Sequence, residues 1–244
     1  MGPKRTDESY LEDLQEALSS KQSSRGVKGS CPLSKLKYFS IPCRQTCIDY
    51  MHSLLEGVIK NLLNYLFNTG DFLGDHSLRK FMQEIDKRLL SIKPPSFVPY
   101  TPRSIYTHNL WRAHEYLSFI LYYALPVFKD IMKNEYHQNL QKLVVFVETI
   151  LSPIIIKEEL IKADIIIREF VHELESLYSP RIMLSGVHEL LHLVEMTLDF
   201  GPLNGINCFQ YEELNRKMIR FVHGFDLIGE LSNKFKKVIN LKFN

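Results

Sequence analysis

From Ile48 onward, apolar residues recur at intervals of three and four. Ile48, Met51, Leu55, Val58, Ile59, Leu62, Leu63 and Leu66 form one stripe, the pattern of a helix that buries a single face. Leu78, Phe81, Met82, Ile85 and Leu89 repeat it behind Ser77, a residue type suited to the N-cap. Lys93-Pro94-Pro95 ends that helix, and Pro99 and Pro102 hold the following segment extended. A long helix is predicted from near Thr107 to Lys133, bent or broken at Pro126. Further helices are predicted at about 135–151, 157–177, 185–198 and 210–240. Few segments alternate with period two for long enough to make strands, so the chain reads as mainly α, with no internal repeat.

Residues 1–30 are different. They are polar and charged, with Lys4, Arg5, Lys21, Arg25, Lys28 and a serine-rich run at 19–24, and such a composition predicts a mobile leader. Core-forming sequence begins at Cys31, which gives a leader over 1–30 and a helical domain over 31–244. The 244 residues, 45% hydrophobic, suffice for one large or two small domains. Thirty Lys+Arg against 28 Asp+Glu leave a net charge of +2, which neither demands nor excludes nucleic acid.

Residues 1–28 hold no apolar run of signal-peptide type, and no stretch is long and apolar enough for a spanning helix, so no membrane partner is expected. Cys31, Cys43, Cys47 and Cys208 make no disulfide framework. The expected compartment is therefore reducing, nuclear or cytoplasmic.

The sharpest motif is His188-Glu189-Leu190-Leu191-His192. Positions i and i+4 share a helix face, so both imidazoles can reach one metal ion. Taken alone it is the HExxH pattern of zinc peptidases, with Glu189 as general base and Glu212 or Glu213 at the spacing of a third ligand. The plainer reading makes Leu190, Leu191, Leu193 and Val194 core and the histidines polar neighbours. Asp49 and His52 open the first strong helix, Asp49 either as a cap or, with His52, as part of a polar site. Cys43-x3-Cys47 has the wrong gap for a C-x2-C knuckle and reads as ordinary thiols. Trp111, Tyr116, Phe119, Ile120 and Tyr123 read as helix-packing residues, with Arg103, Arg112 and His114 as a small basic patch beside them.

In order, these segments form a longer series. It runs Arg5-Thr6-Asp7-Glu8-Ser9, Ser30-Cys31-Pro32-Leu33, Asp49-Tyr50-Met51-His52 with Glu56-Gly57-Val58, and Pro102-Arg103-Ser104-Ile105. It continues through Trp111-x-Ala113-x-Glu115, Leu121-Tyr122, Val187 to Leu193, Phe200-Gly201-Pro202-Leu203 and Phe209-Gln210-Tyr211-Glu212. Over nearly the whole chain it resembles the C-terminal portion of CACTA (En/Spm)-type DNA transposases.

The resemblance implies an RNase-H-like catalytic domain in which two Asp and one Glu hold two Mg2+ or Mn2+ ions for in-line attack on a phosphodiester. It makes this chain the helical insertion and C-terminal helices, with the β-sheet core largely missing. It makes Glu212 the last of the three carboxylates, Asp49 and His52 neighbours of the active-site face, and His188 and His192 half of a zinc site. A C-x2-C pair completes that zinc site in the family. Both catalytic Asp and that pair precede the Arg-Thr-Asp-Glu-Ser landmark in family members, and an Asn often precedes the first His where Gly186 stands here. A truncated transposase fragment without autonomous activity is thus expected, with DNA, a full-length transposase or a second copy as partners, and Arg103 and Arg112 as DNA contacts. The alternatives are a zinc metallopeptidase using His188, Glu189, His192 and Glu212, and a non-catalytic helical interaction module.

Overall fold

The computed structural model describes residues 5–38, 47–68, 74–98 and 100–219. The chain divides into two units, residues 1–206 and 207–244. Among the described residues the architecture is mainly α, with helices throughout and no strand; one isolated bridge joins Ser24 and Val27. None of the described helices is long and apolar enough to cross a membrane. Cys43 and the stretch of the expected 210–240 helix beyond 219 lie outside the described residues.

Within the polar leader, where composition predicts mobility, the structure holds helix α1 (Asp7–Ser20). Local chemistry accounts for it. Thr6 Oγ1 accepts the Ser9 backbone N–H at 3.2 Å and Ser9 Oγ accepts that of Thr6 at 2.9 Å, a reciprocal capping box. The Thr-Asp-Glu-Ser landmark is therefore a helix start. Asp13 is only 1% exposed, and it is met by Arg25 at 2.6 Å and Arg5 at 3.3 Å, so its buried charge is paired.

The apolar stripe of residues 48–66 folds in two parts, a π-helix (Met51–Ile59) running into α2 (Lys60–Phe67). Leu54, Leu55, Ile59, Leu63 and Leu66 are fully buried. The wide turn has a local reason at Gly57, where an added Cβ would lie 2.9 Å from the His52 carbonyl oxygen, five residues back. Helix α3 (Met82–Ser91) follows a 3-10 turn over Arg79–Phe81. Ser77 does not cap it, because that turn supplies the helix start, and Ile85 and Leu89 face the core.

The predicted single helix from 107 to 133 is broken up. A 3-10 turn (Ile105–Leu110) leads to extended backbone at Trp111 and Arg112, then come α4 (Ala113–Ser118), a second π-helix (Phe119–Tyr123) and α5 (Ala124–Phe128). Pro126 has no N–H for the carbonyl four residues back, and the π turn just before it absorbs that mismatch. Trp111, Tyr116, Phe119, Ile120 and Tyr123 are all buried, with Trp111 5.2 Å from Phe119 between ring centroids, as packing residues should be.

Helices α6 (Asn134–Ile150) and α7 (Lys157–Leu177) form an antiparallel hairpin. Tyr136 donates to the Leu177 carbonyl at 2.8 Å, Asn139 donates to the Phe170 carbonyl at 3.2 Å and to Glu173 at 3.0 Å, and Lys142 pairs with Glu169 at 3.2 Å. Between these polar ties lie Leu143, Phe146, Val147, Ile167 and Phe170, each 0% exposed and each stabilising the hairpin by about 1.5–3 kcal/mol.

His108 shows how burial sets a pH dependence. It is 1% exposed; Nδ1 donates to the Ile105 carbonyl at 2.8 Å, while Nε2 stands 3.2 Å from Asn68 Nδ2. Burial pushes its pKa below the ordinary value, outweighing the Ile105 carbonyl, and burial does the same to His114. A histidine neutral in the fold but protonated in the unfolded chain favours unfolding in acid. Stability from this source is full above pH of about 6.5 and is lost as pH falls below it. The urea midpoint is expected to drop between pH 7 and 5, and His108→Gln to flatten that dependence.

Candidate functional site

The His188–His192 motif does not lie on one regular helix. Helix α8 (Ser185–Leu190) ends before the second histidine, and α9 (Leu193–Phe200) starts after it. Between them Leu191 N–H donates to the His188 carbonyl at 3.2 Å and His192 N–H to that of Glu189 at 3.0 Å, which are i to i−3 bonds of 3-10 type. Core packing explains the tightening. Val187, Leu190 and Leu193 are all buried and spaced by three, a repeat that a 3.0-residue turn keeps on one side. Val194 is buried as well, whereas Leu191 is half-buried.

The turn nonetheless brings the two imidazoles together. Their Nε2 atoms are 3.3 Å apart and the rings meet edge-on at 5.0 Å between centroids. The contact is a hydrogen bond between the two rings, and two nitrogens held about 2.0–2.1 Å from one tetrahedral zinc would lie at a similar separation of roughly 3.3–3.4 Å. Behind His192, Glu195 Oε2 lies 3.8 Å from Nδ1, near enough to favour a charged ring but too far for a hydrogen bond that would orient it.

Glu189 faces another space. It lines a cavity of about 300 Å³ together with His52, Ser53, Asn61, Phe170 and Gly186, and neither His188 nor His192 is part of that lining. Asp49 and His52 meet at the rim of this cavity's π-helix. Asp49 accepts the backbone N–H groups of Met51 at 3.4 Å and His52 at 3.2 Å, and its Oδ2 lies 2.5 Å from His52 Nδ1. Asp49 thus caps the helix and holds the His52 ring, while His52 and not Asp49 lines the cavity. Burial and the adjacent Asp49 charge push the Tyr50 phenol up to about 12, so it stays protonated.

Gly186 explains how α8 is seated. A Cβ there would lie 2.9 Å from the Ser53 carbonyl oxygen and 3.4 Å from a Val58 methyl, so only glycine lets α8 close on the π-helix.

Arg103 through its guanidinium and Arg112 through its backbone N–H both meet the Glu115 carboxylate. Arg103 Nη1 is 3.0 Å from both Glu115 oxygens, and Glu115 also accepts the Arg112 backbone N–H at 2.8 Å. That committed carboxylate offsets the small basic patch expected for DNA. Glu212 lies in the second unit on α10 (Phe209–Ile219), where its N–H donates to the Cys208 carbonyl at 2.9 Å. Its neighbour Glu213 is tied to Arg216 by two contacts of 2.7 Å. No family model matches the chain, and no curated protein or solved structure does either.

Proposed function

We propose that this chain is a helical part of a CACTA-type transposase catalytic domain and acts in DNA transposition without autonomous activity, its histidine pair serving as half of a structural zinc site. The observation that carries this reading is the His188–His192 geometry: two nitrogens at 3.3 Å, set on a tight turn, with Glu195 behind one ring and Glu189 turned into a separate cavity. A peptidase of HExxH type needs its glutamate beside the metal-bound water, and here Glu189 lines a space the histidines do not share. In the proposed role the zinc would be held by His188 and His192 with two thiolates from a C-x2-C segment, and it would brace the fold. Glu212 would be this chain's contribution to the family's carboxylate triad. The expected location is the nucleus, where DNA is the substrate of the assembled enzyme.

Two ligands bind zinc weakly and four bind it tightly, which sets the test. Adding a separate C-x2-C peptide is expected to tighten zinc binding by at least about tenfold, an effect lost in His192→Ala. Zinc-dependent peptide hydrolysis by the chain alone, abolished by Glu189→Gln, would contradict the proposal and establish the peptidase.

A further inference from the structure

The cavity that Glu189 lines has more polar groups in its wall than the fold satisfies. Leu62, Phe170, Leu174 and Ile182, all buried, make its apolar side. Three other lining residues carry polar side chains that meet no partner among the described residues. The Ser53 hydroxyl is buried, in a residue 8% exposed, and has no hydrogen-bond partner. The half-buried Asn61 amide and the half-buried Glu189 carboxylate make no hydrogen bond or ion pair either. Polar groups taken out of water are normally satisfied, so three such groups around one space of about 300 Å³ mark a place that a ligand completes.

The chemistry of the wall selects the class of ligand. Glu189 brings a negative charge and two acceptor oxygens, and no lysine or arginine belongs to the described lining. His52 can supply positive charge, but Asp49 Oδ2, 2.5 Å from its Nδ1, offsets it. An anion therefore meets no net attraction there. A divalent cation wants several oxygen ligands with carboxylates among them, and this lining holds one carboxylate. We infer that the cavity binds a small organic ammonium ion with an apolar body. Its charged head sits on Glu189 and Asn61, and its body lies against Leu62, Phe170, Leu174 and Ile182. An ammonium group has three donors and no acceptor, which suits the Glu189 oxygens and the Asn61 carbonyl, with the Ser53 oxygen as a further acceptor in the same wall. Away from bulk water, such a charge-assisted hydrogen bond to Glu189 is stronger than one at the surface. The histidine pair takes no part in the lining, so this site stands whether or not zinc binds.

Titration of the full chain with phenethylammonium, with a chelator present so that zinc plays no part, tests the inference. Proton–nitrogen correlation spectra are expected to show saturable shifts at the Asn61 and Glu189 amides, with a dissociation constant below about 1 mM. Neutral phenethyl alcohol, of nearly the same shape, and the anion phenylacetate are expected to bind at least about tenfold more weakly. Glu189→Gln keeps the shape of the wall and should bring the ammonium down to the level of the alcohol. Asn61→Leu should weaken the ammonium by about threefold or more, with far-UV circular dichroism showing the helices intact in both variants. No saturable shift up to about 10 mM overturns the inference. So does equal binding of the ammonium and the alcohol, or a folded Glu189→Gln variant that still prefers the ammonium.

Discussion

Phe170→Ala is expected to lower the free energy of unfolding by about 3–5 kcal/mol. Phe170 is 0% exposed, its carbonyl accepts the buried Asn139 amide, and its side chain forms part of the wall of the 300 Å³ cavity between the π-helix and α8. Truncation removes the apolar transfer energy and enlarges that cavity. A urea titration reads the loss as a lower midpoint with an unchanged slope. A loss under about 1 kcal/mol would show that the ring is not a core element and that α7 packs differently.

Gly186→Asn is expected to destabilise by about 1–3 kcal/mol and to weaken zinc binding at the histidine pair in the same variant. The Cβ would stand 2.9 Å from the Ser53 carbonyl oxygen, and a backbone atom within the π-helix cannot swing aside as a flexible side chain would. Helix α8 must then lift from the π-helix, and His188, two residues on, moves with it. Gly186→Ala places the same Cβ and should cost nearly as much, which separates the steric effect from that of the amide. A neutral Gly186→Asn variant would show that the contact relaxes freely and that the glycine has no seating role.

Long amphipathic segments were legible in advance. The 157–177 pattern matches α7 (Lys157–Leu177) residue for residue, and 135–151 is displaced by one from α6 (Asn134–Ile150). Each carries enough turns of one stripe for packing to enforce a regular helix. The stretch from 107 to 133 was not legible, because extended backbone at Trp111 and Arg112 and a π turn ahead of Pro126 preserve the spacing of apolar residues while changing the backbone. The break between Leu190 and Leu193 is similar: spacing of three and four fits either an α-helix or a 3-10 turn, and core packing decides. In α1, polarity hid a helix held by a capping box and a buried ion pair.

The site divides along the same line. The His188–His192 pair and the Asp49–His52 pair are local spacings, and both appear as contacts. The cavity that draws Glu189 away from the histidines depends on Asn61, Phe170 and Gly186, which lie far apart in sequence. No motif announces it.

In the proposed role His188 and His192 together form a two-nitrogen half-site for zinc. Long-range nitrogen–proton spectra of the histidine rings, recorded while zinc is added, test it most directly. Nε2 of both His188 and His192 is expected to shift together at one zinc per chain, while His108 and His114 remain unmoved. His192→Ala is expected to remove the response of His188. A zinc response at only one of the pair, or at neither, would contradict it.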